Sequence, residues 1–425
     1  MRVLVLGSGA REHAVAWKFS RSRRISGLFV APGNAGTDQL GTNIPVDPMD
    51  ADAVIAACRE NRINLAFVGP EGPLAAGLVD RLAAQGIQTI GPPAAAAQLE
   101  SSKAFSKDFM WRHGVPTAHY SVCTTEAEVD RTIDEAGGAL VVKMSGLASG
   151  KGVFDSGSTE SLRKAAHHSL REGPVVIEER LEGFEVSVFA LLDGSSFRLL
   201  LPCSDYKKAG EGGTGPNTGG MGAVCPVPWL GPEDEERIRR TIVEPTVGGL
   251  RQEGLMYTGV LYFGIMVCAD GPKLLEYNVR FGDPETQVLL PLIRSDMGDV
   301  CAAMAEGAIS DFPLELSERC ALGVVIAAAG YPGEYQKGVP VTLEGAPSTS
   351  TPPQGMHPAN ELIFHASTVV DDNGTVLTGG GRCFTVVGLG DSLLDARRRA
   401  YNAALTVTFD GAWHRGDIGD RVFGT

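Results

Sequence analysis

The chain has 425 residues, of which 43% are apolar and 21% charged, and its formal net charge is −14. A chain of this length is too long to fold around one hydrophobic core, so we predict two to four domains. The negative charge would repel a phosphate backbone, so nucleic acid is not expected as a partner. The chain has no run of 18 apolar residues and no Cys-x-x-Cys pair among its eight cysteines, so we expect a cytoplasmic protein with reduced thiols, no membrane span and no zinc site.

Short apolar runs and helical patterns alternate over the first hundred residues. Predicted strands lie at 2–6, 28–30, 65–68 and 88–90, and predicted helices lie near 12–20 and 51–60. Such alternation is typical of βαβ units around a parallel sheet. We therefore predict an α/β domain with a parallel sheet over residues 1–100.

The rest of the chain predicts a central region and a C-terminal domain. Helical patterns cover 103–113, 160–171 and 392–405, and strand patterns cover 139–143, 175–179, 184–192, 197–202, 258–268, 273–278, 322–328 and 383–387. We place the central region at 101–320, with a small subdomain of about 121–188 inserted in it, and the C-terminal domain at 321–425.

A glycine turn follows the first strand and is close to a dinucleotide-binding fingerprint, Gly-x-Gly-x-x-Gly. The third glycine is replaced by Glu12, and the end of the second strand is followed by Ala31-Pro32-Gly33-Asn34, without the acidic residue that would bind a ribose. A nicotinamide cofactor is therefore not expected. Backbone N–H groups at the helix N-terminus, with Arg11 nearby, suit a phosphate, although the glycines alone could simply make a tight turn.

A second glycine loop spans 145–152. It resembles a Walker A motif but is one residue too short, and Gly152 replaces the hydroxyl residue that would hold Mg²⁺. We interpret it as a flap over nucleotide phosphates, where Lys143 and Lys151 can neutralise a triphosphate. The alternative is an exposed hairpin with ordinary surface lysines.

A third glycine loop, at 215–222, and a later strand supply further candidates. The glycines beside Asn217 and Thr218 allow the backbone to approach an anionic or polar ligand closely. Glu276 and Asn278 alternate on a predicted strand, so both side chains point to one face. Carboxylate and amide oxygens placed in this way suit Mg²⁺.

For two charged segments, the sequence allows either a binding role or a structural role. The run from Arg280 to Glu285 follows a buried strand and is either a binding site or a salt-bridged corner. Glu178 and Glu179 end a strand shortly before Glu185. They could bind an adenine amino group and ribose hydroxyls, or they could form a solvated edge.

Together these segments resemble the ATP-grasp superfamily and, within it, the glycinamide ribonucleotide synthetases. The resemblance runs from Val3 to about Gly419 without a large unmatched region. It is carried by V-L-G-S-G-A-R-E-H-A (5–14), A-P-G-N-A-G-T (31–37), V-G-P-E-x-P-L (68–74), S-K-A-F-S-K-D-F (102–109), P-N-T-G-G-M-G (216–222), R-F-G-D-P-E-T-Q (280–287), A-A-x-G-Y-P-G (around 328–333) and G-G-R (near 380–382).

The resemblance implies an ATP-grasp fold with an N-terminal parallel-sheet (pre-ATP-grasp) domain, a small inserted lid subdomain and a C-terminal α+β domain. It implies ATP and Mg²⁺ or Mn²⁺ as cofactors. The implied reaction joins glycine to 5-phosphoribosylamine through glycyl phosphate, in de novo purine biosynthesis. It also implies a monomer that at most dimerises weakly.

The resemblance further assigns residues to a nucleotide site and a metal site. The nucleotide residues are Lys103 and Lys143 on the triphosphate, Ser149 and Lys151 in the flap, Glu178 on the adenine amino group, Glu179 and Leu181 through their backbones, and Glu185 on the ribose. The metal ligands are Glu276 and Asn278. Arg280 stands where an anion-stabilising arginine is expected, and we count it with Lys143 as catalytic.

On the substrate side, the implied residues come from three parts of the chain. They are Gly9, Arg11, Asn34, Glu71, Asn217, Thr218, Gly219 and Asp283. The C-terminal residues His365 and Arg382 could also approach the nucleotide, or His365 could be a packed core histidine.

Three positions depart from the family pattern. Ser145 and Gly213 each stand where the family usually has Asp, although Glu211 is close to the second, and Tyr206 replaces a usual His. Because Gly213 lies near the expected substrate side, a ligase for another amino acid or amine is the close alternative. A non-catalytic or oxidoreductase nucleotide binder is the distant one, and Glu12 speaks against it.

Overall fold

The structure is a computed structural model that describes residues 1–136, 138–147, 152–155, 158–344 and 360–423. Its first elements are β1 (Arg2–Gly7), α1 (Ala10–Ser20), β2 (Gly27–Pro32), β3 (Thr42–Asn43), α2 (Ala51–Glu60), β4 (Leu65–Val68), α3 (Glu71–Ala75), α4 (Leu78–Ala83), β5 (Gln88–Ile90) and α5 (Ala94–Ser101). The strands form a parallel sheet in the order β3-β2-β1-β4-β5. This order reverses at β1, so the carboxyl ends of β1 and β4 frame the crevice where such sheets bind ligands.

A small antiparallel sheet forms the inserted subdomain. The elements here are α6 (Lys103–Arg112), β6 (Tyr120–Cys123), α7 (Glu126–Glu135), β7 (Leu140–Met144), β8 (Val153–Asp155), α8 (Thr159–Ser169) and β9 (Val175–Glu179). The strand order is β6-β9-β7-β8. Apolar residues of α7 and α8, such as Val129 and Leu162, pack on Val142 and Ile177 of the sheet. Burial of these few side chains holds the subdomain together.

The central region continues with a larger antiparallel sheet. Its elements are β10 (Phe184–Asp193), β11 (Phe197–Leu199), β12 (Ser204–Asp205), β13 (Lys208–Gly210), β14 (Thr214–Asn217), β15 (Gly222–Cys225), α9 (Pro232–Ile238), α10 (Glu244–Gln252), β16 (Thr258–Cys268), β17 (Gly271–Asn278), α11 (Glu285–Leu289) and α12 (Met297–Ala305). The strand order is β11-β10-β16-β17. A π-helical turn at Arg239–Val243 joins α9 to α10.

The last elements are β18 (Cys320–Ala327), β19 (Thr342–Leu343), β20 (Glu361–His365), β21 (Thr368–Val370), β22 (Val376–Thr378), β23 (Arg382–Gly390), α13 (Leu393–Ala404) and β24 (Val407–Thr408). A further antiparallel sheet has the order β12-β15-β18-β23-β20, so it combines strands of the 204–225 segment with strands from residue 320 onward. Helix α13 packs closely on β23, because Gly388 and Gly390 present no side chain to it. None of the helices in the described ranges is both long and apolar enough to cross a membrane.

Aromatic side chains join the three parts of the molecule behind the carboxyl end of β17. Phe281 stacks on Phe67 of the N-terminal sheet, with ring centroids 6.1 Å apart, and lies 5.9 Å from Phe189 of β10. Trp17 of α1 meets Phe364 of β20 edge to face. Such pairs add to the energy of apolar burial. The segment that begins at Arg280 is therefore packed against the N-terminal sheet and against β10, while Trp17 and Phe364 join the N-terminal and C-terminal domains.

Candidate active site

Helix α6 presents two lysines to the gap between the lid and the central sheet. The Ser102 hydroxyl caps the helix by accepting the N–H of Phe105 at 3.3 Å. Lys103 and Lys107 are one turn apart and therefore share a face. The ammonium group of Lys103 donates to the carbonyl of Gly146 in the second glycine loop at 3.1 Å.

The carboxylate of Glu178, at the end of β9, lies between two buried lysines. Lys107 Nζ is 2.6 Å from Glu178 Oε2, and Lys143 Nζ pairs with Oε1. Burial alone would raise the pKa of Glu178, but Lys143 and Lys107 outweigh it and hold that pKa below its usual value. Burial and the nearby Lys143 lower the pKa of Lys107 more than Glu178 raises it, because one carboxylate serves two ammonium groups.

The other residues assigned to the base and ribose lie on the same side of the gap. Glu179 ends β9, and its Oε1 accepts the N–H of His119 at 3.1 Å, while Leu181 follows in the connection to β10. Glu185, at the start of β10, pairs with Lys207, whose Nζ is also 3.8 Å from Asp205. Together with Glu178, these three predicted nucleotide residues lie at the end of β9, in the connection that follows, and at the start of β10.

The two predicted metal ligands project from the end of β17. Glu276 and Asn278 pair with Gly264 and Tyr262 of β16, and a β-bulge directly precedes Glu276. Bulges often re-aim side chains beside active sites. No described residue donates a hydrogen bond to the Glu276 carboxylate, and no group of three or more His, Cys, Asp or Glu able to hold a metal is found in the described ranges.

These two oxygen ligands fit Mg²⁺ or Mn²⁺. Both ions accept carboxylate and amide oxygens, and Mg²⁺ typically uses one or two protein ligands and completes its shell with water and substrate phosphates. The Asn278 side-chain oxygen lies 3.4 Å from Arg280 Nη2, a weak contact that leaves it available as a ligand.

Arg280 lies at the junction of the central region with the N-terminal domain. Its Nη2 is 2.7 Å from Glu100 Oε1, and its Nε is 3.5 Å from Glu71 Oε2. The other oxygen of Glu100 accepts the N–H of Val279 at 2.8 Å. Burial alone would lower the pKa of Arg280, but Glu100 and Glu71 raise it above its usual value. The guanidinium therefore stays charged and oriented.

Several predicted substrate residues converge around Asp283. Arg11 donates its backbone N–H to Asp283 Oδ2 at 3.4 Å and its guanidinium to the carbonyl of Phe281 at 3.1 Å. Arg382, from β23, lies 3.3 Å from Asp283 Oδ1 and donates to the carbonyl of Gly219 at 2.7 Å. The first glycine turn, the third glycine loop and the C-terminal domain thus meet at one carboxylate.

Glu12 occupies the crevice between the turns that follow β1 and β4. Its Oε2 accepts the N–H of Gly9 at 2.7 Å, and a Cβ at Gly7 or Gly69 would clash with its side chain. In a dinucleotide-binding turn, the third glycine allows the helix and strand to pack closely. In this chain the Glu12 side chain, whose Oε1 is 2.5 Å from Arg11 Nε, fills that space.

The remaining substrate-side residues order their own loops. The Asn34 amide donates to the carbonyls of Ser8 and His365, each at 2.9 Å, and its oxygen accepts two backbone N–H groups. Thr218 donates to the carbonyl of Lys207 at 2.9 Å. Asn217 ends β14 in the adjoining hairpin. Asn34 and Thr218 therefore order the loops that carry Gly9 and Gly219, next to the Asp283 cluster.

His365 and Arg382 do not approach the lysines and Glu178. His365 is 3% exposed; its Nδ1 is 3.0 Å from Thr368 Oγ1, and its backbone N–H donates to His13. Burial lowers the pKa of His365 to about 4. His365 is therefore a packed core histidine, and Arg382 belongs to the Asp283 cluster.

The residues that depart from the family pattern have local structural surroundings that explain their contacts. The Ser145 hydroxyl accepts the N–H of Ala104 at 3.1 Å, and the Tyr206 hydroxyl accepts that of Gly419 at 2.9 Å. The carboxylate of Glu211 accepts the N–H of Gly416 at 2.9 Å. Gly213 is exposed at a φ of +73° with open space around it. Glu211 is thus bonded to the C-terminal segment, away from the lysines.

Two predicted flap residues, Ser149 and Lys151, lie outside the described residues. Lys107, Glu100 and Lys207 are residues of the site for which the sequence predicted no role. The sequence offers one indication for Lys107, which is that it lies one helical turn after Lys103 and so shares a helix face with it. Glu100 lies near the end of an alanine-rich helix and could not be recognised, since its partners Val279 and Arg280, which follow β17, are 179 and more residues away along the chain.

Comparison with known proteins identifies the family. Models of phosphoribosylglycinamide synthetase match the chain as an N domain at 1–100, an ATP-grasp (A) domain at 101–286 and a C domain at 321–421. A phosphoribosylamine–glycine ligase of Chlorobaculum tepidum is 44% identical over 433 residues, covering 99% of this chain and 100% of that protein.

Solved structures agree with this result. A phosphoribosylamine–glycine ligase from Thermotoga maritima matches with a TM-score of 0.84 at 34% identity, covering 99% of this chain and 100% of that one. A biotin carboxylase from Campylobacter jejuni has a TM-score of 0.74 at 15% identity, covering 97% and 92%, and shares the fold. The predicted fold class and family are therefore confirmed, and the chain belongs to the phosphoribosylglycinamide synthetase family of ATP-grasp proteins.

Proposed function

We propose that this protein is an ATP-dependent ligase that joins glycine to 5-phosphoribosylamine, giving glycinamide ribonucleotide, ADP and phosphate in purine biosynthesis. The observation that carries the proposal is the 44% identity to a phosphoribosylamine–glycine ligase along essentially the whole of both chains. The convergence of lysines, carboxylates and an arginine around one gap supports the same reaction.

The glycine carboxylate first attacks the γ-phosphate of ATP, giving glycyl phosphate and ADP. The amine of phosphoribosylamine then attacks the acyl carbon, and phosphate leaves with one of the former carboxylate oxygens. Negative charge develops on the transferring oxygens in the first step. Lys103, Lys143 and Arg280 stabilise that charge, and the ion pairs of Arg280 with Glu100 and Glu71 orient its guanidinium before the reaction.

The nucleotide lies between the lid and the central sheet in this proposal. Glu178 accepts the adenine amino group, Glu179 and Leu181 contribute backbone contacts, and Glu185 binds the ribose. Glu276 and Asn278 hold Mg²⁺ or Mn²⁺, which when bound neutralises phosphate charge. Ser149 and Lys151 belong to the flap that closes over the phosphates and excludes water from the acyl phosphate.

Glycine and phosphoribosylamine bind on the other side of Arg280. Gly9, Arg11 and Glu71 lie at the switch point of the N-terminal sheet, where ligands of such sheets bind. Asp283 and Gly219 adjoin them. Asn34, Asn217 and Thr218 shape the loops that line this side.

The test is detection by mass of glycinamide ribonucleotide formed from ATP, glycine and phosphoribosylamine. Alanine in place of glycine and other primary amines in place of phosphoribosylamine serve as controls. Product from the natural pair alone supports the proposal. Faster turnover of another amino acid or amine would favour the alternative ligase that Ser145 and Gly213 suggest.

A further inference from the structure

Lys107 is a buried cation in the nucleotide site to which the proposed function gives no role. It is 2% exposed, and its ammonium group lies 2.6 Å from Glu178 Oε2 and 2.7 Å from Thr117 Oγ1. The Thr117 hydroxyl in turn donates to the carbonyl of Leu274 on β17 at 2.6 Å. Lys107 thus ties the Glu178 carboxylate of the lid to the central sheet.

The two lysines on Glu178 are not equivalent. Lys143 contacts Oε1 from a neighbouring strand of the lid sheet and lies 3.5 Å from the carbonyl of Leu275. In the proposed reaction, Lys143 turns toward the triphosphate. A buried carboxylate that loses its only cation is strongly destabilised. Lys107 removes that penalty because it stays on Glu178 when Lys143 leaves.

Each carboxylate oxygen has two acceptor sites. With Lys107 on Oε2 and Lys143 turned to the triphosphate, the Glu178 carboxylate is held on one side and has free acceptor sites on Oε1. An exocyclic amino group on a purine can donate to such a site, whereas a purine without that group cannot.

We propose that Lys107 is a positioning residue for base recognition: it holds the Glu178 carboxylate in the orientation that accepts the adenine amino group, and so sets the preference for 6-aminopurine nucleotides. This inference rests on the proposed role of Glu178 in ATP binding. A merely structural lysine would affect all nucleotides equally.

The test measures binding of Mg²⁺-ADP and of Mg²⁺-purine riboside diphosphate, which lacks the 6-amino group, by titration calorimetry. Lys107→Met should weaken ADP binding about 10- to 100-fold, the worth of a hydrogen bond to a charged group. Binding of the nucleotide without the amino group should change by less than about threefold on the same energetic scale. Lys164→Met, which removes an exposed lysine of α8, is the matched control and should change neither.

A double-mutant cycle separates positioning from loss of structure. In a Glu178→Gln background, Lys107→Met should have no further effect on the ratio of the two affinities. If Lys107→Met does not fold, Lys107→Gln provides the same comparison, because it keeps a donor for Thr117. Equal losses for both nucleotides, or a wild-type protein that does not distinguish them, would overturn the inference. The calorimetric titrations contain neither glycine nor phosphoribosylamine. Failure to form glycinamide ribonucleotide in the product assay would therefore overturn the proposed function without changing the ratio of the two nucleotide affinities.

Discussion

Acidification should weaken the contact between the N-terminal and C-terminal domains through His365. Burial lowers the pKa of this histidine from 6.5 to about 4. The unfolded chain therefore binds more protons than the folded one between pH 6.5 and 4, and the free energy of unfolding falls as the pH is lowered through that window. One pKa unit is worth about 1.4 kcal/mol, so the whole window costs about 3 kcal/mol and the part down to pH 5 about 2 kcal/mol.

The variant His365→Phe cannot take up the proton. It loses the hydrogen bond with Thr368, so it should be somewhat less stable than wild type at pH 7.5. Urea unfolding of both proteins at pH 7.5 and pH 5.0 measures the difference. Wild type should lose about 2 kcal/mol more than the variant over this range. His168→Phe, at an exposed position on α8, is the control and should follow wild type. Equal losses in wild type and His365→Phe would refute the reasoning.

Three further substitutions test other parts of the structure. Arg280→Lys keeps the charge but loses the fork that meets Glu100 and Glu71, so kcat should fall about 100-fold with little change in KM for ATP, measured by ADP release. Glu276→Gln should raise the Mg²⁺ concentration for half-maximal activity about 10-fold or more, and an unchanged value would exclude it as a ligand. Burial would raise the pKa of Asp193, but hydrogen bonds from Ser196, Ser195 and Ile309 lower it to about 2. The ionised Asp193 carboxylate stabilises the folded state fully above about pH 4, and this stabilisation is lost as the pH falls toward 2. Asp193→Asn should therefore lower the free energy of unfolding by about 2 kcal/mol at pH 7 and by less at pH 3, as measured by thermal unfolding.

Much of the fold could be predicted because local sequence and tertiary structure agree. The strands at 65–68, 88–90, 175–179 and 258–268 have the predicted bounds, since each is an apolar run between clear breakers. The helices at 126–135, 232–252 and 297–305 were not predicted. The second contains Pro245 and two adjacent glycines, which resemble breakers, and it is held by packing on the central sheet rather than by propensity.

The candidate site was predicted only as far as spacing could reveal it. Glu276 and Asn278 could be paired because a strand puts alternate residues on one face. Lys107 could not be recognised as buried, because an amphipathic helix normally turns its lysines to water and the partner Glu178 is distant in sequence. The same holds for Glu100 and Arg280: long-range ion pairs depend on how domains pack, which periodicity does not encode.

The central claim is that the glycine carboxylate is activated by transfer of the γ-phosphoryl group. Glycine with both carboxylate oxygens labelled with ¹⁸O tests it directly, with the released phosphate analysed by mass. Attack of the carboxylate on ATP followed by displacement at the acyl carbon predicts phosphate that carries one ¹⁸O atom and glycinamide ribonucleotide that retains the other. Phosphate without label, released together with the amide product, would contradict the account.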